Sequence, residues 1–116
     1  MSAIEAAQRS TCASFRADWT PAPFNLKAGV ALNVESQLKP VNGLRQPPKG
    51  DTTGWYIWAG QVLSDEPDFF QPLHVSHLTD WRPEILKYLG LPPGYRFLLA
   101  ENYQDVWFDA SLLDVD

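Results

Sequence analysis

The run Gly54-Trp55-Tyr56-Ile57-Trp58-Ala59-Gly60 places the tightest limit on how this chain can fold. Four consecutive large apolar side chains favour a β-strand, and successive side chains of a strand point to opposite faces, so both faces must be covered. The run predicts a strand in the middle of a sheet, ended by Gly60. A second aromatic stretch follows in Asp68-Phe69-Phe70-Gln71-Pro72-Leu73-His74-Val75-Ser76-His77-Leu78. Trp55, Tyr56, Trp58, Phe69 and Phe70 read as core, because each ring buries roughly 150–250 Å². Tyr103 and Trp107 stand beside acidic residues near a strand end and are the better candidates for exposed anchors.

A chain of 116 residues with 45% hydrophobic and 20% charged content is expected to form one folded domain without help from disulfides or metals. Its first residues, Met-Ser-Ala-Ile-Glu-Ala-Ala-Gln-Arg, lack a basic then apolar leader pattern, and no apolar run approaches the roughly 18 residues of a membrane span. A cytoplasmic protein that does not enter a membrane is expected. The single Cys12 agrees with a reducing compartment and reads as a small buried hydrophobe on a helix.

Net charge is −5, but it is unevenly spread. Residues 1–50 carry six basic and three acidic side chains, whereas residues 51–116 carry three basic and eleven acidic ones. An acidic half repels the phosphate backbone and attracts basic proteins. Direct nucleic-acid binding is disfavoured; a basic protein partner is favoured.

Ile4, Ala7, Thr11, Phe15 and Trp19 recur at helical spacing, with Ser2 and Glu5 at the separation of a capping box, so a helix is expected from Ser2 to about Trp19. Thr20-Pro21-Ala22-Pro23 should stop it. Val30, Leu32 and Val34 alternate in a possible first strand over Lys27 to Val34, with a short helix over Val34 to Leu38 as the competing reading. Asn42-Gly43 signals a turn, and Gln46 to Asp51 an exposed loop. After the central strand, Ser64-Asp65-Glu66-Pro67-Asp68 reads as an acidic turn and Leu73 to Leu78 as a short strand or extended segment. A helix near residues 81–90, capped by Asp80 with Pro83 in its first turn, stops at Gly90. Tyr95 to Ala100 and Asp105 to Asp109 then form a hairpin. The order predicts an α+β domain with a mainly antiparallel sheet of four to five strands.

Few residues suggest chemistry. His74 and His77 are spaced His-x-x-His, but a metal needs three or four ligands and an extended segment points residues three apart to opposite faces, so both read as structural histidines and no metal or cofactor is expected. Asp65, Glu66 and Asp68 in one turn, with Glu101, Asp105 and Asp109 around the hairpin, read as a solvated acidic face. There is no phosphate-binding glycine loop, no nucleophile elbow and no Cys–His pair in nucleophile context, which argues against an enzyme.

The stretches Asn42-Gly43-Leu44-Arg45, Gly54 to Gly60, Asp68 to Val75, Leu91-Pro92-Pro93-Gly94-Tyr95-Arg96-Phe97-Leu98 and Asp105-Val106-Trp107-Phe108-Asp109 resemble the immunity protein thirty-three-like family, formerly a domain of unknown function. The resemblance runs from Val41 to Leu113. It implies a small bacterial immunity protein that binds and neutralises a cognate toxin of interbacterial competition, such as a type VI secreted effector, without catalysis. Together with the charge pattern it suggests a basic toxin, most simply a nuclease. The expected contact residues are Asp65, Glu66, Asp68, Glu101, Tyr103, Asp105, Trp107 and Asp109. Two competing readings are a small-molecule-binding or regulatory module with an aromatic pocket, and an enzyme using the carboxylates with His74 or His77.

Overall fold

The computed structural model of the chain describes residues 3–36, 38–60, 63–64, 66 and 68–114. Helix α1 spans Ala3–Ser14. Its alanines are strong helix formers, Glu5 sits where the helix dipole favours negative charge, and Arg9 pairs with Glu5 at 3.0 Å. The expected continuation to Trp19 does not form. Arg16 adopts a φ of 57°, and the N–H groups of Arg16 and Ala17 return to the carbonyls of Ala13 and Cys12. This is a Schellman ending, ordinarily built on glycine, and it stops the helix well before Pro21. Ser2, the expected capping partner of Glu5, lies outside the described residues.

Six strands follow among the described residues: β1 Lys27–Ala31, β2 Val41–Arg45, β3 Thr52–Ala59, β4 Phe70–His74, β5 Tyr95–Ala100 and β6 Tyr103–Phe108. They form one sheet in the order β4-β1-β3-β2-β5-β6. The α+β class and the interior position of β3 are as expected; the sheet is wider than the four to five strands expected and includes one parallel pair, β1 with β3. The added width comes largely from β2. Its Asn42-Gly43 is no turn: Gly43 lies opposite Phe97 of β5, and a Cβ there would stand 2.1 Å from the Phe97 ring. The missing side chain makes room for an aromatic ring.

Strand β1 stops at Ala31 rather than Val34, because Leu32–Glu35 coil into a three-ten turn. The Asn33 side chain donates to the Ala59 carbonyl at 2.8 Å and accepts from the Ala59 N–H at 3.0 Å, extending the β1–β3 ladder by a side chain. The short strand or extended segment expected over Leu73 to Leu78 is present only at Leu73 and His74, the end of β4, and gives way to a three-ten turn, Val75–His77. Helical structure near residues 81–90 is present but broken, as helix α2 over Leu78–Trp81 and a three-ten segment over Pro83–Tyr88. Arg82 between them has φ −151°, since proline excludes the helical conformation at the residue before it. Asp80 lies within α2 and caps nothing.

Helix α1 packs on this segment, with Gln8 Nε2 donating to the Leu86 carbonyl at 3.0 Å and Cys12 Sγ to the Gly90 carbonyl at 3.3 Å. The segment in turn covers one face of the sheet. Trp55 Nε1 donates to the Leu89 carbonyl at 3.0 Å, and Tyr88 stacks on Phe97 at 4.7 Å between centroids. Two buried arginines tie the layers together. Arg45 donates to the carbonyls of Thr20, Pro21, Thr53, Leu89 and Leu91. Arg82 donates to those of Val34, Ser36 and Leu38. By strand alternation and register, Leu44, Tyr56, Trp58, Arg96, Leu98 and Trp107 point to the other, open face. Trp58 is still buried there, with the Phe70 ring edge-on at 6.1 Å, so aromatic neighbours in the sheet itself help cover the far side of β3.

Candidate interaction surface

Strand β6 is an edge of the sheet, joined to β5 by the two-residue turn Glu101-Asn102. Its register places Tyr103, Asp105 and Trp107 on the open face, opposite Ala100, Leu98 and Arg96. Gln104, Val106 and Phe108 point to the helical side, where the Tyr88 hydroxyl donates to Gln104 Oε1 and Phe108 meets Tyr95 edge-on at 5.3 Å. Three rings are nevertheless left open to solvent on this one strand: Tyr103 is 59% exposed, Phe108 51% and Trp107 36%. Glu101 and Asp105 are exposed beside them.

Arg96 lies over the Trp107 ring at 5.4 Å and pairs with Asp109 at 3.3 Å. Asp109 also accepts from the Ser111 hydroxyl at 2.6 Å and the Ser111 N–H at 3.1 Å, capping the three-ten turn Ala110–Leu113. The Ser111 hydroxyl, then the Ser111 amide and Arg96, outweigh burial and hold the Asp109 carboxyl below its ordinary value of 3.8. Asp109 is thus engaged within the hairpin, whereas Glu101 and Asp105 face water.

The other acidic group stands elsewhere. Glu66 and Asp68 are exposed in the connection leading into β4, the opposite edge of the sheet, and Asp65 lies outside the described residues. Five strand spacings of about 4.8 Å separate the two edges, roughly 24 Å in all. The structure therefore gathers Glu101, Tyr103, Asp105, Trp107 and Asp109 and sets Glu66 and Asp68 apart. Nor do the basic and acidic halves of the sequence form two lobes, because β1 and β2 are interleaved among the strands of the acidic half. Arg82 is buried and Arg96 engaged, so two of the three cations after residue 50 offer the surface little compensating charge.

Phe108 is the functional candidate that sequence reasoning passed over. Its alternation puts it on the helical side with Val106, opposite Tyr95, and its place at the end of an edge strand leaves it exposed.

The histidines depart from the expectation that they point apart. The three-ten turn after β4 swings His77 back over His74, stacking the rings at 6.3 Å, with His77 Nδ1 3.3 Å from the His74 carbonyl. Both are exposed, and among the described residues no three His, Cys, Asp or Glu side chains gather as a metal site. The Cys12 thiol is buried, and burial raises its pKa. A cleft of about 180 Å³ lies against β1 and β3, lined by Lys27, Gly29, Trp55, Tyr56, Phe70 and Pro72 among others. Neither Trp58 nor a histidine reaches it.

The Imm33-like domain family matches residues 7–109, nearly the whole fold from α1 to the end of β6. The chain belongs to that family. The match takes in much of the N-terminal region that the resemblance from Val41 onward left out, in keeping with the way Arg45 and Cys12 bind α1 and its following loop to the rest of the Imm33-like fold. No curated protein and no solved structure matches the chain. Among the described residues, no helix of this Imm33-like domain is long and apolar enough to cross a membrane.

Proposed function

We propose that this Imm33-like domain is an immunity protein that binds a cognate bacterial toxin and neutralises it without catalysis. The observation that carries this reading is the β5–β6 hairpin, where three aromatic rings and two free carboxylates are exposed on a well-packed edge. Protein interfaces concentrate binding energy in such ring clusters with a charged rim. The partner is a basic protein, most simply a nuclease toxin, and the setting is interbacterial competition such as type VI secretion. In this reading carboxylates such as Glu101 and Asp105 take the place of substrate phosphates in the toxin's basic groove, and the rings exclude water around the charge pairs. The family match supports a toxin partner; the hairpin and the acidic balance support its charge.

Co-expression with the toxin encoded beside this gene tests the proposal. Cells carrying both survive, cells carrying the toxin alone die, and the two proteins co-purify. Death of the doubly expressing cells, with this protein folded and abundant, overturns it.

A further inference from the structure

The outer rim of β6 is a row of backbone groups with no partner among the described residues. The Asp109 N–H donates to the Gly94 carbonyl at 2.7 Å, so odd-numbered residues of β6 turn their backbone toward β5. The N–H and C=O of Gln104, Val106 and Phe108 must then point outward, and no hydrogen bond among the described residues uses them. Natural edges are usually blunted by proline, lysine, a bulge or a covering loop. Strand β4, at the opposite edge, carries Pro72; β6 carries no proline, glycine, lysine or arginine in six residues and keeps an unbroken register with β5.

From this we propose that the Imm33-like domain captures its partner by strand addition: an extended segment of the partner joins the sheet antiparallel to β6. The proposal rests on the immunity reading for the identity of the partner and goes beyond it in naming the contact. Another strand pairs with the outward N–H and C=O groups together, in place of water, and the rings on β6 flank both faces of the incoming segment. Charge selects its side chains. On the open face Asp105 favours a cation by ion pairing and Glu101 adds negative potential at the turn, while Trp107, whose ring already carries Arg96, supplies apolar area. On the helical side Val106 and Phe108 favour apolar residues. The matching segment alternates basic and apolar residues.

A second copy of this chain fits poorly. Self-pairing about Val106 would set Asp105 opposite Trp107 and Asp109 opposite Tyr103 of the other copy, with no basic residue of either β6 strand across from the carboxylates.

The probe is a short peptide alternating lysine and valine, with a glutamate–valine peptide as control, added to the isotope-labelled protein. The basic peptide should slow amide exchange at Gln104, Val106 and Phe108 and bind at least about tenfold more tightly than the control. Val106→Pro removes an outward N–H and no bond to β5, and should weaken the basic peptide about tenfold or more. Asp105→Lys, an exposed change that spares the fold, should abolish or reverse the preference between peptides. Unchanged exchange at those amides under saturating peptide, equal affinity of both peptides, or slow exchange without peptide in a concentration-dependent dimer each overturns the proposal. Neutralisation of the neighbouring toxin is read separately. Loss of protection in both variants supports the toxin as the added strand, full protection in both overturns that assignment, and no protection by wild type with the peptide results intact removes the immunity reading while leaving the strand-addition edge in place.

Discussion

Arg45 carries a charge into the middle of the molecule with no carboxylate to meet it among the described residues. Its side chain is 2% exposed, and five carbonyls from three separate stretches of chain surround it. Burial pulls its pKa down to about 10, still well above neutral, so the guanidinium remains charged. A cation whose folded pKa lies below the unfolded one gains stability only as pH rises past about 10, and contributes no slope around neutrality. Arg45→Met should cost about 3–5 kcal/mol in urea unfolding, since several buried carbonyls lose their donor. Arg45→Lys should recover little of this, because one ammonium cannot span the three segments. Asp109 behaves in the opposite sense. Its lowered pKa means that its contribution is present above 3.8 and is lost as pH falls through the folded value. Ser111→Ala should move the Asp109 titration, followed by carboxyl NMR, back toward 3.8.

At the scale of elements, the end of α1 is where an arginine does what glycine usually does. Arg16→Gly should relieve the left-handed strain at φ 57° and raise stability by roughly 0.5–1 kcal/mol, read as a higher urea midpoint. Gly43→Ala should act in the other direction, costing about 1–3 kcal/mol as Phe97 is forced from its place. These two positions also explain what was legible. The central strand and the last hairpin were plain in the sequence because apolar runs and alternation report burial directly. Strand β2 was not, because a glycine that clears space for a ring is written with the same letter as one that makes a turn. The Schellman ending was hidden for the converse reason: Arg16 gives no local sign that it will adopt a glycine conformation. The break at Arg82 was half visible, since Pro83 reads equally as a helix start and as a restriction on its predecessor.

For the whole molecule, composition showed an acidic surplus but could not place it, because chain order and strand order differ in a sheet that runs β4-β1-β3-β2-β5-β6. The hairpin residues were legible as a group since they are close in sequence; that Glu66 and Asp68 stand at the far edge depends on long-range pairing no local pattern encodes. This separation makes the two acidic groups independent tests of where a basic toxin docks. Charges that steer encounter act mainly on the association rate and weaken as salt screens them. The double variant Glu101→Lys with Asp105→Lys should slow association with the toxin about tenfold and flatten its dependence on salt, with unchanged thermal unfolding. The double variant Glu66→Lys with Asp68→Lys makes the same change in net charge roughly 24 Å away, beyond two screening lengths at physiological salt, and should alter the rate much less. Equal slowing by both pairs would mean that overall charge, and not the β6 edge, guides the encounter; slowing by the second pair alone would move the docking surface to the β4 side.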